Sequence, residues 1–344
     1  MMRNFTYNGI ELLGMCTALP KTNQGEKGAY RAIAVEEQTT ADLGFLAAQQ
    51  IIEVTPVERD EIGVLIFLTK TPDYRGPATA MVLQNRLGIS EDCIVYDAPT
   101  GNAGFEVAIN LGGSLLSVSS KKYALIVFGD TVSKQFTTED IGALNVQDGA
   151  TSMLFNKKDT SNGTTISTLT LSAHWSYFML PSGGFRNNKS VFENLNSKRS
   201  QQTAAHLHID FPSIFSAIHP EMERVKTKVL ELMDSETYSN VIILINLLDA
   251  ELEKRLVELF QSDPYKDHIY LSSTFGPQTM AATIPLMISK ICGNKQVTDC
   301  QVISVSLGEG LSINIASLAV HESAILESIY SDIYYDNGFV THEM

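Results

Sequence analysis

Hydrophobic residues in the first half of the chain occur either in short continuous runs or at helical spacing. The continuous runs predict buried strands at 10–15, 62–68, 93–97, 123–128 and 150–155. The helical spacing predicts helices at 40–53, 79–87 and 102–117. Because apolar strands between helices need cover on both faces of their sheet, this order predicts an α/β fold.

The second half of the chain repeats this order of elements. Polar stretches at 159–163 and 187–203 are typical of surface loops. Between and after them we predict helices at 211–233, 250–260 and 278–291, and strands at 241–245, 269–272, 301–306 and 311–316. Two α/β halves in tandem predict a pseudo-duplicated fold with its site between the halves, although the sequence itself shows no repeat.

The last stretch, 321–344, is rich in acidic residues, tyrosine and isoleucine. Ile325, Ile329 and Ile333 recur every fourth residue, which fits one face of a helix. Such a helix packs either on the chain's own body or against a partner subunit, and we favour its own body.

Composition narrows the classes of function. The chain has 344 residues, 44% hydrophobic and 19% charged, as in ordinary globular proteins. A net charge of −14 argues against nucleic-acid binding, which needs a basic surface. No apolar run is long enough to cross a membrane and no apolar leader follows Met1, so we predict a cytoplasmic protein without a membrane partner.

The cysteines and histidines do not have the spacing of a metal site. The four cysteines show no CxxC pattern, and Cys16 and Cys93 lie in predicted strands, where buried, reduced thiols are usual. His206 and His208 alternate along a predicted strand, with Asp210 as the one further ligand nearby. We therefore predict no metal site.

A series of short motifs resembles β-ketoacyl-acyl-carrier-protein synthase III of the thiolase superfamily, in the family's order, over roughly residues 5–320. The motifs are Gly14, Leu19-Pro20, Thr71-Pro72-Asp73-Tyr74, Pro77-Ala78-Thr79-Ala80, Gln84 to Gly88, Asp97, Gly104-Phe105, Val146-Gln147-Asp148-Gly149-Ala150, Leu180-Pro181-Ser182-Gly183-Gly184, Ala281-Ala282-Thr283-Ile284-Pro285 and Gly308-Glu309-Gly310. The resemblance implies a thiolase-like fold of two pseudo-duplicated α/β halves, layered α-β-α-β-α. It implies halves at 1–165 and 166–320 and an extension at 321–344.

The family's catalytic triad is replaced in this chain. In the active enzymes a cysteine carries the acyl group, while a histidine and an asparagine polarise the malonyl thioester. The resemblance places Asn102, Asn246 and Gln278 at these positions. A short shift of the alignment restores neither group, because no cysteine lies between residues 93 and 292 and no histidine between 219 and 268.

The resemblance assigns further residues to substrate binding. Gly308 and Gly310 correspond to the Gly-rich oxyanion loop, and Phe105 frames the nucleophile turn. Gly76 stands where the family has a bulky residue that reaches into the partner subunit's pocket. A glycine there implies room for a longer or bulkier acyl chain in the partner.

Asn102 has two interpretations. The favoured one is a helix N-cap, a common role of asparagine, and the alternative is an amide that hydrogen-bonds an acyl carbonyl. With Asn246 and Gln278 it is predicted to form a polar network that contains no acid, base or nucleophile. His174 and Trp175, the other tempting pair, are interpreted as structural.

No cofactor is predicted, and a thioester of coenzyme A or of acyl carrier protein stays open as a substrate. The family's adenine-binding tryptophan has no counterpart, since the single tryptophan, Trp175, lies elsewhere in the chain. Glu251 replaces an arginine that the family uses to dock the carrier protein, whereas Lys254 and Arg255 remain on that helix. The carrier protein is therefore retained as a candidate partner.

Three hypotheses of function follow. The leading one is a degenerate, non-condensing subunit that forms a homo- or heterodimer with an active ketoacyl synthase of fatty-acid or polyketide-type metabolism. The second is an acyltransferase that uses acyl thioesters without a covalent cysteine intermediate. The third is a module that binds an acyl ligand without chemistry.

Overall fold

The computed structural model describes residues 2–21, 31–134, 145–158, 163–181, 208–234, 238, 240–293, 300–321 and 324–336. In chain order the strands are β1 (Arg3–Asn8), β2 (Ile10–Leu19), β3 (Ile62–Leu68), β4 (Ile94–Ala98), β5 (Tyr123–Asp130), β6 (Gly149–Lys157), β7 (Gly163–Thr170), β8 (Phe178–Met179), β9 (His208–Ile209), β10 (Asn240–Asn246), β11 (Ile269–Leu271), β12 (Cys300–Gly308), β13 (Ser312–Val320) and β14 (Ile329–Tyr330). The α-helices are α1 (Thr40–Val54), α2 (Thr79–Leu87), α3 (Gly104–Val118), α4 (Phe211–Ile218), α5 (Met222–Leu232), α6 (Ala250–Leu259), α7 (Ser272–Phe275) and α8 (Thr283–Cys292).

Two six-stranded sheets share one strand order. The first sheet runs β14-β2-β6-β5-β3-β4 and the second runs β1-β7-β13-β12-β10-β11. From the second strand onward, both sheets have two antiparallel pairs followed by two parallel pairs. This repeated topology confirms the predicted pseudo-duplicated α/β fold.

The helices complete five layers. Apolar residues of α3 and α8 join both sheets in one buried cluster, so these two helices form the central layer. Helices α1 and α2 cover the outer face of the first sheet. Helices α4, α5 and α6 cover the outer face of the second. The α-β-α-β-α arrangement is therefore confirmed, and each sheet is buried on both faces.

Local signals in the sequence set several helix ends. Thr39 and Asp42 form a capping box at the start of α1. Asp249 caps α6 by accepting the Leu252 N–H at 2.9 Å. Gly88 follows α2 with a φ of 64°, a left-handed conformation that glycine adopts at low cost.

Several predicted elements differ from the structure. The long helix at 211–233 is wrong, because Pro220 lies in a 3-10 turn, His219–Glu221, that separates α4 from α5. The helix predicted from 278 begins later, at α8. Strands β1 and β7 were not predicted, and they pair with each other in the second sheet. The boundary at residue 165 therefore falls within β7.

The helix predicted for the C-terminal extension is also wrong. Its described residues contain no α-helix, and Ile329 of the short strand β14 pairs with Ala18 of β2 at the edge of the first sheet. The buried Gln38 side chain donates to the carbonyls of Ser331 at 2.8 Å and Ile333 at 3.1 Å. The extension thus packs on the chain's own body, as favoured, but not as an α-helix. In the described part of the chain, no helix has the length and hydrophobicity needed to cross a membrane.

Candidate functional site

The structure brings the three triad positions together where the two halves meet. Asn246 is the last residue of β10, Asn102 lies in the turn that precedes α3, and Gln278 precedes α8. All three side chains are buried. The end of strand β10 and two turns that precede helices therefore supply the site.

Asn102 does not cap α3, and that prediction is wrong. The helix begins two residues later, and its N-cap residue, Ala103, makes no side-chain hydrogen bond. The Asn102 amide nitrogen instead donates to the carbonyl oxygens of Leu307, at 2.8 Å, and Asn246, at 3.3 Å, in the other half. Both carbonyls belong to strands of the second sheet, β12 and β10, so these hydrogen bonds join the two halves.

Two of the three amides are bonded directly, and a hydroxyl group links them to the third. The Asn246 amide nitrogen donates to Asn102 Oδ1 at 3.0 Å. The Ser272 hydroxyl lies 3.0 Å from Asn246 Oδ1 and accepts a hydrogen bond of 3.3 Å from the Gln278 amide nitrogen. Ser272 of α7 is therefore the centre of the network, and sequence reasoning missed it.

A carboxyl group completes this network, so the prediction that it contains no acid is wrong. Glu253 of α6 is buried, and its Oε1 accepts from the Ser272 hydroxyl at 2.7 Å. Its Oε2 accepts from the backbone N–H and the hydroxyl of Ser273. Burial raises the pKa of Glu253, while the hydrogen bonds from Ser273 and Ser272 oppose that rise.

The sequence held a signal for Glu253. Leu252 and Leu256 are both buried on α6, and Glu253 lies on the same face, three residues before Leu256. A charged residue on the apolar face of an amphipathic helix needs buried hydrogen-bond partners, because burying a lone charge is costly. That face therefore indicated a polar site beneath the helix.

A second buried carboxyl group lies one turn beyond Asn102. Glu106 Oε1 accepts from the hydroxyls of Ser304, at 2.6 Å, and Ser306, at 2.9 Å, both on β12. Glu106 Oε2 has no hydrogen-bond partner among the described residues. Burial raises the pKa of Glu106 to about 7, against the opposing hydrogen bonds from the serines.

The Gly-rich loop, Gly308 to Gly310, packs tightly on the turn that precedes α3. A Cβ at Gly308 would come 2.9 Å from the Ala103 Cβ, so the close approach requires glycine. Gly310 has a φ of 67° and makes the turn possible. Between them, Glu309 Oε1 lies 3.2 Å from the ammonium group of Lys70.

The other two residues assigned to substrate binding lie in different settings. Phe105 is buried, with its ring centroid 5.8 Å from that of Phe128 in the central layer. Gly76 is exposed in the loop before α2, and no atom lies within 4 Å of a Cβ placed on it. An added side chain at Gly76 would therefore project away from the chain's own body.

The remaining candidates have structural surroundings. His174 packs its ring against Tyr177 at 5.0 Å, and its neighbour Trp175 is exposed. Asp210 caps α4 by accepting the Ser213 N–H at 3.1 Å. His206 lies outside the described residues, and those residues contain no cluster of three metal-ligating side chains.

Two further sequence expectations concern surface charge and buried thiols. Glu251 on α6 forms an exposed ion pair with Arg255 at 2.9 Å, so part of the basic charge on that helix is neutralised. Cys16 and Cys93 are buried, free thiols, as interpreted from the sequence.

Comparisons with known proteins agree with the resemblance. No protein-family model matches the chain. It is 33% identical over 130 residues to β-ketoacyl-acyl-carrier-protein synthase III of Pectobacterium atrosepticum, and 31% identical over 130 residues to that of Serratia proteamaculans. Each match covers 38% of this chain and 41% of the relative, so the matched stretch spans less than half of either protein.

The solved structures extend this likeness to the whole fold. A 3-oxoacyl-(acyl-carrier-protein) synthase from Burkholderia xenovorans superimposes with a TM-score of 0.82 at 22% identity. The superposition covers 96% of this chain and 99% of that one. The chain therefore has the thiolase-like fold of these synthases over nearly its whole length, and it is related in sequence to synthase III over 38% of it.

Proposed function

We propose that the chain is a thiolase-fold subunit that does not catalyse condensation and that pairs with an active ketoacyl synthase. The observation that carries this proposal is the amide network at the three triad positions. Asn102, Asn246 and Gln278 are buried and bonded to one another or to Ser272. A neutral amide supplies no nucleophile comparable to a thiolate, so an acyl-cysteine intermediate has no counterpart here.

Pairing is supported by the β4 edge of the first sheet, with which no further strand pairs among the described residues. Strand β4 ends the first sheet, and its Ile94 and Tyr96 side chains are exposed. An apolar edge strand with unpaired backbone groups is suited to pairing with another chain. Gly76, in the loop that precedes α2 beside β4, has no side chain that would enter the partner's pocket. That pocket would therefore have room for a longer acyl chain on a coenzyme A or carrier-protein thioester.

Intact-protein mass spectrometry tests the non-condensing role. The chain is incubated with acetyl, octanoyl and malonyl thioesters of coenzyme A and of acyl carrier protein, and thiol release is measured in parallel. We expect no acyl adduct and no thiol release above the buffer rate. A stable adduct, or release that requires the chain, would contradict the proposal.

The pairing is tested with two matched substitutions of exposed tyrosines. Tyr96 lies on the free edge of the first sheet, and Tyr330 lies on β14 at the opposite edge; their exposed fractions are 53% and 48%. The chain is co-expressed with a ketoacyl synthase from the same source, and complexes are measured by native mass spectrometry. We expect a heterodimer that Tyr96→Asp abolishes and Tyr330→Asp preserves. A chain that forms homodimers and never exchanges with a synthase would contradict the heterodimer.

One observation favours the second candidate, acyl transfer without cysteine. The Ser272 hydroxyl lies 2.7 Å from Glu253 Oε1, the geometry of a nucleophile beside a general base. In that reaction the Ser272 oxygen would bond to the acyl carbon while Glu253 takes the hydroxyl proton, the C–S bond of the thioester would break, and Glu253 would return the proton to the sulfur so that a thiol leaves. The same mass spectrometry distinguishes the candidates, because an adduct lost in Ser272→Ala would support acyl transfer.

A further inference from the structure

An ion pair lies beside the turn that holds Gly101 and Asn102. Lys70 follows β3 and Glu309 follows β12, so the pair joins the two halves across the site. Lys70 Nζ lies 3.2 Å from Glu309 Oε1, and the two side chains are 26% and 12% exposed. The carboxylate is therefore largely withdrawn from water and is held beside one positive charge.

The Glu309 carboxylate rests on the backbone next to Asn102. A Cβ added at Gly101 would overlap Glu309 Oε1 and would come within 3.1 Å of the Lys70 side chain. Glycine at this position thus leaves free the space that the Glu309 carboxylate occupies, which we call the Gly101 cradle. Gly310 and Leu311 both have positive φ, of 67° and 44°, and this turn aims Glu309 into the cradle.

Glu309 is held in this cradle by charge without a matching hydrogen bond. Its Oε1 is buried, and the approach of Lys70 is not aligned as a hydrogen bond, so this oxygen has no hydrogen-bond donor among the described residues. A buried oxygen without a donor keeps much of its desolvation cost. A free carboxylate that binds Lys70 with better alignment could therefore take its place.

We propose that Lys70 and the Gly101 cradle form a carboxylate-binding position, which the chain's own Glu309 occupies and from which a small carboxylic acid displaces it. The ligand class is a free carboxylate, because the Lys70 ammonium group pairs with a full negative charge and a thioester carries none. The inference goes beyond the proposed function and holds whether or not the chain pairs with a synthase.

Propionate tests this proposal, since it reproduces the Glu309 side chain beyond its Cα. Isothermal titration calorimetry is performed on the wild-type chain, Glu309→Ala and the double variant Glu309→Ala/Lys70→Met, at constant ionic strength. We expect saturable binding to Glu309→Ala, at least ten-fold weaker binding to the wild type, and at least ten-fold weaker binding to the double variant. Propionamide, which has the same shape without the charge, should not bind.

Three results would overturn the proposal. They are no saturable binding to a folded Glu309→Ala, equal affinity for the wild type and Glu309→Ala, and binding that survives the loss of Lys70. Glu309→Gln provides a second variant that keeps the side-chain volume. Its neutral amide is more easily displaced from Lys70 than the carboxylate, so it should bind propionate more tightly than the wild type, and equal or weaker binding would also contradict the proposal.

Discussion

The carboxyl group of Glu106, buried between the halves, makes the stability of the fold depend on pH. Its pKa rises from an ordinary value of 4.5 to about 7 because it is buried. Between these two values the unfolded chain loses the proton while the folded chain keeps it. The stabilisation that Glu106 gives is thus complete below about pH 4.5 and is lost as the pH rises through 7.

Glu106→Gln should remove this pH dependence. The amide oxygen can still accept from Ser304 and Ser306, and the group no longer ionises. Relative to the variant, we expect the wild type to lose about 3 kcal/mol of unfolding free energy between pH 5 and pH 8. Urea denaturation at several pH values measures the difference.

The comparison isolates Glu106 from other buried acids. Burial also raises the pKa of Asp130 to about 7, but Asp130 is present in both proteins and its effect cancels in the difference. Parallel curves of stability against pH for the wild type and Glu106→Gln would contradict the prediction.

Of the residues in the candidate site, the sequence predicted some and missed others. Local motifs located Asn102, Asn246 and Gln278, because each stands beside residues typical of its turn or strand end. Ser272 and Glu253 were missed because no motif links them; they meet through hydrogen bonds between α6 and α7. The capping role of Asn102 was wrong because a cap is a local preference, and two carbonyls from the other half outcompeted it.

Among the secondary-structure elements, the C-terminal extension shows that hydrophobic spacing alone does not distinguish a helix from an extended chain. Ile325, Ile329 and Ile333 are separated by four residues, which fits the 3.6-residue period of a helix. Four is also a multiple of two, so the same residues share one face of an extended chain. The edge of β2 and the side chain of Gln38 offer hydrogen bonds to an extended segment, and these contacts decide its conformation.

Gln38→Ala should release the extension without unfolding the rest of the chain. The substitution leaves the carbonyls of Ser331 and Ile333 without their donor, while the sheets keep their own hydrogen bonds. We expect amide hydrogen exchange within 329–335 to accelerate at least ten-fold, with little change in the exchange of β3 or β5.

Gln49→Ala is the matched control, because the Gln49 side chain bonds Glu53 on the same helix, α1. It should leave exchange in the extension at the wild-type rate. Unchanged protection of 329–335 in Gln38→Ala would show that the pairing of β14 holds the extension by itself.

For the whole molecule, the central layer makes the two halves one cooperative unit. Strand β1 comes from the start of the chain but lies in the second sheet, and β14 comes from its end but lies in the first. Asp130, at the end of β5, accepts the Lys70 N–H at 2.6 Å and the Ala281 N–H at 3.2 Å, so one carboxyl group joins both halves. Neither half can lose its structure without exposing the shared layer.

The two sheets should therefore unfold together. Hydrogen exchange in increasing urea should remove protection from β3 and β10 at the same urea concentration. Asp130→Ala leaves the Lys70 and Ala281 N–H groups without an acceptor, and it should lower both transitions equally, by about 2 kcal/mol or more. Asp130→Asn keeps an acceptor and should lower them less. A variant that shifts β3 alone would show that the halves unfold independently, because only a shared layer transmits the loss of one carboxyl group to both sheets.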